Sequence, residues 1–157
     1  MKDTITKGFV GLFAAVVLFF LGSCKKELST ESAKIKPPIR TYIVTARADK
    51  KGTNSNSAGT AVLKGQYDEE SKVLKYSIEY SDIDPQIMTL RYGPKGSAGT
   101  FVKELYNNHN GKQTLIQGAF ELTPLQERNL LKGLWFVAVS TATLSPEISG
   151  VLTFKQQ

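Results

Sequence analysis

Polar and apolar residues alternate along most of the chain after residue 40. The clearest case is 74–80, where Leu, Tyr, Ile and Tyr alternate with Lys, Ser and Glu. Successive side chains of a β-strand point to opposite faces, so this pattern predicts a half-buried strand. The same alternation runs through 42–48 and 61–67. An acidic turn at 68–71 would connect the strand at 61–67 to the strand at 74–80.

Short apolar segments separated by turn residues continue to the end of the chain. They predict five more strands, at 87–92, 101–106, 114–122, 134–141 and 148–154. About eight short strands with turns between them are typical of an antiparallel β-sandwich. The predicted fold class is therefore all-β.

One short helix is expected before the penultimate strand. Thr123 would be the N-cap, Pro124 the first helical residue, and Gln126 the partner that completes a capping box. Leu125, Leu130 and Leu131 are expected to face the core. Lys132 and Gly133 would then end the helix.

The N-terminus has the features of an export signal. Lys2 and Lys7 precede an uncharged apolar run at 8–21. Its fourteen residues are fewer than the roughly 20 that a membrane-spanning helix needs. A charged start, a short apolar run and small residues indicate a signal peptide.

The end of this segment resembles the lipobox of bacterial lipoproteins, which here comprises Leu21, Gly22, Ser23 and Cys24. The resemblance implies cleavage before Cys24 and a covalent lipid on its sulfur. Cys24 is the only cysteine, so it has no disulfide partner within the chain. Two or three acyl chains would make the attachment to a membrane durable.

These features predict a signal peptide at 1–23, a lipidated tether at 24–40 and one domain at 41–157. The tether holds five basic and two acidic residues at 25–40 and includes Pro37 and Pro38. Its lysines suit anionic lipid headgroups, and no nucleic-acid partner is expected. No aspartate stands directly after Cys24, where Lys25, Lys26 and Glu27 follow, so an outer-membrane location in the envelope is expected, facing the periplasm or the surface.

Few residues suggest catalysis or metal binding. His109 is the only histidine, and its Asn-rich surroundings predict a hairpin turn rather than a zinc or copper site. Asp82 and Asp84 fall short of a calcium ligand set. The glycine-rich segment 93–100 lacks the spacing of a phosphate-binding loop and predicts a turn between strands. No catalytic residue, metal or cofactor is expected, apart from the covalent lipid.

The order of several short segments resembles the CHRD domain, which is named for the repeats of chordin. The segments are 59–61, 67–68, 73–78, 92–94, 118–127, 131–137 and 147–152. Family members typically carry histidines where this chain has Leu90, Tyr92 and Ser140. Metal binding is therefore not carried over from the family.

The resemblance implies a non-catalytic envelope module that engages a protein or a glycan through loops at the strand ends. The candidate interaction residues are Arg91, Tyr92, Pro94, Lys95, Ser140 and Thr141. Two alternatives stay open. One is a metal-dependent enzyme related to the copper–zinc superoxide dismutase sandwich, and the other is a hydrolase with a carboxylate pair, whose spacing depends on the fold.

Overall fold

The computed structural model of the chain describes residues 38–94 and 97–157. The predicted signal peptide, the lipobox with Cys24, the tether up to residue 37, and Lys95 lie outside the described residues. Within the described part, no helix is long and apolar enough to cross a membrane.

Nine strands and one α-helix make up the described part of the chain. The strands are β1 Thr41–Ala48, β2 Thr60–Asp68, β3 Val73–Ser81, β4 Ile87–Tyr92, β5 Thr100–Asn107, β6 Leu115–Glu121, β7 Trp135–Ser140, β8 Ile148–Val151 and β9 Thr153–Gln156. The helix, α1, is Pro124–Leu131, and short 3-10 turns occupy Lys50–Gly52 and Asn108–Asn110.

The strands form two antiparallel sheets, which confirms the predicted all-β sandwich. The five-stranded sheet has the order β6-β3-β2-β1-β9, and the four-stranded sheet has the order β5-β4-β7-β8. Alternate residues of both sheets meet in one core, which includes Val44, Leu63, Ile78, Leu90 and Trp135. The Trp135 side chain is fully buried, and its ring stacks on Phe120 with centroids 6.5 Å apart.

The last predicted strand is divided between the two sheets. β8 pairs with β7, whereas β9 pairs with β1. The chain crosses between them at Leu152, whose amide donates to the Trp135 carbonyl at 2.9 Å. Gly150 permits this crossing, because a Cβ there would collide with the Arg47 backbone of β1. The bridge between Asp49 and Ser149 continues the pairing at this corner.

Helix α1 begins at the predicted residue, but the side chains that it directs toward the core differ from the prediction. The Gln126 amide donates to Thr123 Oγ1 at 3.3 Å, and the Thr123 amide donates to Gln126 Oε1 at 2.9 Å. Leu130 is fully buried, but Leu125 is 62% exposed and Leu131 is 39% exposed, so the inward orientation predicted for those two leucines is wrong. Leu125 lies about 140° around the helix from Leu130, too far for both to face one core.

The strand pairings define two ends of the sandwich. The start of β1, the β2–β3 turn, α1 and the β4–β5 loop lie at one end, termed the tether end. The opposite end, termed the far end, carries the loops at 49–59, 82–86, 108–114 and 141–147.

The segment around His109 does not form the predicted hairpin. It links β5 of the four-stranded sheet to β6 of the five-stranded sheet, so it crosses between the layers. The turn itself is present, because the Gly111 amide donates to the Asn108 carbonyl at 2.9 Å. Turn composition thus predicted the bend but not which strands it connects.

Candidate ligand-binding cleft

The outer face of the four-stranded sheet carries apolar side chains where solvent would be expected. Phe136 pairs with Arg91 on one side and Val151 on the other, and all three alternate with core-facing residues. Phe136 is nevertheless only 7% exposed. Other parts of the chain must therefore cover this face of the sheet.

The β4–β5 loop provides the first cover. Gly99 lies against Phe136, so closely that an added Cβ would be 2.6 Å from the phenylalanine ring. Arg91 holds the loop down by donating from Nη2 to the Gly99 carbonyl at 3.1 Å, and from Nε to the Ala98 carbonyl. This loop joins two antiparallel strands, as predicted.

The 3-10 turn after β1 provides the second cover. The Asp49 carboxylate accepts from the Lys51 amide at 2.9 Å and thereby caps the turn. Gly52 lies directly against the backbone and side chain of Ser149 on β8. Thr53 Oγ1 donates to the Glu147 carbonyl at 2.6 Å, which secures the segment that follows.

A cleft of about 460 Å³ lies between these two covers. Its lining includes the apolar side chains of Pro94, Leu134, Phe136 and Val151, and the charged residues Arg47, Asp49 and Lys51. Leu134 is 38% exposed and Val151 is 44% exposed, so both are accessible to a ligand. The volume is within the range of about 300–1,000 Å³ that small-molecule sites occupy.

The charged side of the cleft is mainly cationic. Arg47 Nε is 4.0 Å from Asp49 Oδ2, at the limit of an ion pair. Lys51 makes no ion pair within the described residues, and neither does the neighbouring Lys50. Asp49 is the one carboxylate among the described residues that line the cleft.

The structure separates the candidate interaction residues predicted from sequence. Pro94 lines the cleft, Arg91 positions its loop and Tyr92 packs against the core. Ser140 and Thr141 lie at the far end, because Ser140 pairs with Ile87 whereas Tyr92 pairs with Trp135. The two groups are separated by the length of β4, about 17 Å.

Leu90, Tyr92 and Ser140, the positions where the family resemblance implies histidines, do not share one surface either. Leu90 is fully buried and, like Tyr92, belongs to the core layer. Ser140 follows Val139 of the core on β7, so its side chain points to the opposite face, where its Oγ lies 3.0 Å from Ser145 Oγ.

Two carboxylates far apart in the fold each join distant segments. At the far end, Glu147 accepts from Ser57 Oγ and, at 2.6 Å, from Thr141 Oγ1. These two hydrogen bonds lower the pKa of Glu147. The carboxylate thereby ties the β7–β8 loop to the β1–β2 loop, including the candidate residue Thr141.

Glu127 plays the corresponding part at the tether end. It accepts from the buried Tyr67 hydroxyl at 2.6 Å and from Lys72 Nζ at 2.8 Å. Burial alone would raise the pKa of Glu127, but the hydrogen bonds from Lys72 and Tyr67 and the charge of Lys72 lower it overall. Burial and the hydrogen bond to Glu127 raise the pKa of Tyr67 far above its usual value, so Tyr67 remains a donor.

The remaining titratable residues in the described part of the chain do not cluster into a metal site. Within the described residues, no three His, Cys, Asp or Glu side chains come together in a way that could hold an ion. His109 is exposed in its 3-10 turn, and Asp84 pairs with Lys112 at 3.0 Å.

Sequence reasoning missed the cleft residues Arg47, Asp49, Lys51 and Val151. The available signal was the charged segment at 47–51, which directly follows an alternating strand. Val151 is distant from this segment in the sequence. It lines the same cleft only because β8 packs beside the end of β1.

Comparison with known proteins agrees with this architecture. No curated protein and no solved structure matches the chain. The family model described as the CHRD domain matches residues 42–152, which extends from β1 to the crossing between β8 and β9. The chain therefore belongs to the CHRD domain family.

Proposed function

We propose that the chain is a lipid-anchored, non-catalytic binding module of the bacterial envelope, and that its ligand enters the cleft on the four-stranded sheet. The lipid on Cys24 would attach the module to the outer membrane. The CHRD domain would then present the cleft to a partner, which is a component of the same envelope such as a protein or a glycan.

The observation that carries the binding role is the composition of the cleft. Accessible apolar side chains, Leu134 and Val151, lie beside a charged rim that includes Arg47 and Lys51. Apolar surface with a few polar groups is the usual composition of a ligand site. Hydrolysis by a carboxylate pair needs two acids across a cleft, and Asp49 is the one acid among the described residues here.

The binding role can be tested by capturing envelope components on the immobilised mature chain. The variant Val151→Gln replaces an apolar cleft residue with an uncharged polar one. We expect it to reduce capture about fivefold or more, as loss of a central contact does in other interfaces. Ile43→Gln is the matched control, because Ile43 is 39% exposed on a strand of the other sheet. Equal capture by the two variants would refute the cleft as the binding site.

The anchor needs a separate experiment. The wild-type chain should incorporate radiolabelled palmitate and sediment with membranes, whereas the Cys24→Ala variant should do neither. Labelling of the variant at the wild-type level would refute lipidation at this cysteine and leave the binding role of the cleft unaffected.

A further inference from the structure

The cleft places cationic and apolar groups within reach of one small ligand. On one side, Arg47 and Lys51 belong to the end of β1 and the 3-10 turn that follows it. On the other side, Leu134 directly precedes β7, and Val151 is the last residue of β8. No single segment contains both kinds of group, so the combination is a property of the fold.

The cationic side has little internal neutralisation. Asp49 already accepts from the Lys51 amide through Oδ1, and its Oδ2 is 4.0 Å from Arg47 Nε. Arg47 makes no hydrogen bond through its side chain within the described residues, and that side chain is 68% exposed. A guanidinium in this state can donate two parallel hydrogen bonds to a carboxylate or a phosphate.

The apolar side requires a different kind of group. Leu134 and Val151 remain partly exposed between the β4–β5 loop, which packs on Phe136, and the 3-10 turn, which packs on Ser149. Removing such apolar surface from water is favourable and needs a hydrocarbon partner. A simple inorganic anion would leave this surface wet, and a neutral sugar would leave Arg47 and Lys51 unpaired.

We infer that the cleft binds an amphiphile with one anionic headgroup, which contacts Arg47 and Lys51 while its hydrocarbon chain lies on Leu134 and Val151. This inference rests on the proposed function and specifies its ligand. It favours an acidic lipid over a neutral glycan as the envelope component that the module captures.

Three probes separate the two parts of this recognition. Decyl phosphate has the hydrocarbon and the anion, decyl maltoside has the hydrocarbon alone, and inorganic phosphate has the anion alone. Each probe is titrated into the mature chain carrying Cys24→Ser, and the two decyl compounds are kept below their micelle-forming concentrations. Calorimetry gives the affinity of each probe.

We expect decyl phosphate to bind at least tenfold more tightly than either other probe. The double variant Arg47→Gln/Lys51→Gln should lose at least tenfold in affinity for it, as expected when charge-assisted hydrogen bonds are removed. The matched control is Lys64→Gln/Lys75→Gln, which removes two exposed lysines from the five-stranded sheet and should change the affinity less than twofold.

Each result that would contradict the inference concerns a different part of it. Equal binding of decyl maltoside and decyl phosphate would overturn the anionic headgroup. Equal losses in the two double variants would overturn the assignment to Arg47 and Lys51. Failure of decyl phosphate to bind, while Val151→Gln still reduces capture of envelope components, would overturn the ligand class and leave the proposed function standing.

Discussion

The outer faces of the two sheets differ in how they meet solvent. On the five-stranded sheet, exposed residues such as Lys64, Gln66 and Lys75 alternate with the core. On the four-stranded sheet, β7 is buried on both sides from Trp135 to Val139. The first sheet needs no cover, whereas the second is covered by the β4–β5 loop and by the 3-10 turn after β1.

This difference explains why a cleft forms on the outer face of the four-stranded sheet. Water hydrogen-bonds the side chains of a polar outer face, and such a face offers a ligand little apolar surface to bury. An apolar outer face must be covered, and covers contributed by two separate segments leave a gap between them. The cleft is that gap, so the same feature that stabilises β7 creates the candidate binding site.

The strongest test of the comparison is truncation on both sides of β7. Trp135→Ala on the inner side should cost about 3–5 kcal/mol, and Phe136→Ala on the outer side should cost about as much. The Trp135 indole Nε1 has no hydrogen-bond partner within the described residues, so its loss is one of packing. Ile43→Ala, on the polar outer face, should cost less than about 1 kcal/mol. A Phe136→Ala variant as stable as Ile43→Ala in urea unfolding would show that the outer face of β7 is not covered.

The cover itself can be tested at a glycine. Gly99 has a φ of 62°, and a Cβ there would strike the Phe136 ring. Gly99→Ala should therefore lower the free energy of unfolding for two reasons. Backbone strain should contribute about 1–2 kcal/mol, and overpacking should contribute about 1–3 kcal/mol. The control is Gly133→Ala, where φ is 69° and no atom lies within 4 Å of the added Cβ. Equal losses of unfolding free energy would mean that the loop does not press on Phe136.

Helix α1 is joined to the tether end of the sandwich through the charged side chain of Glu127 rather than through a close backbone contact. Glu127→Gln weakens the partner of the buried Tyr67 hydroxyl and should cost about 1–3 kcal/mol at pH 7. Folding lowers the pKa of Glu127, so its contribution is complete above the unfolded value of about 4.3 and is lost as the pH falls below it. The difference between wild type and Glu127→Gln should shrink between pH 5 and pH 3. A constant difference over that range would contradict the ionic link.

The smallest expected effect concerns the start of the same helix. Thr123→Ala removes the side chain that accepts from the Gln126 amide and should cost about 1 kcal/mol. Thr123→Ser keeps the hydroxyl and should recover most of that loss. Thermal unfolding of the two variants is sufficient to measure the difference.

The sequence was sufficient to predict which segments are strands and where the helix begins. Period-two alternation identified β1, β2 and β3, and Thr123, Pro124 and Gln126 identified the N-cap. These features are local, because each depends on residues that are close in the chain. The uninterrupted apolar run at 134–139 also indicated a strand, and such runs are typical of strands buried on both faces.

The connections between layers were not readable from the sequence. Alternation assigns a residue to a face but does not assign a strand to a sheet, which is why 148–154 appeared to be one strand. The cleft depends on that assignment, since Arg47 and Val151 come together only where β8 leaves its sheet near the end of β1. The loop residues Pro94 and Thr141 were grouped together by their position at strand ends, although those ends are opposite ones.

The most direct test of the account is to locate the bound ligand by amide chemical shifts. The ¹⁵N-labelled mature chain carrying Cys24→Ser would be titrated with decyl phosphate below its micelle-forming concentration. The account predicts that the largest shifts occur at Lys51, Phe136 and Val151, with little change at Lys64 and Lys75. Shifts concentrated at Ser140 and Thr141, or on the outer face of the five-stranded sheet, would contradict the claim that the cleft is the binding site.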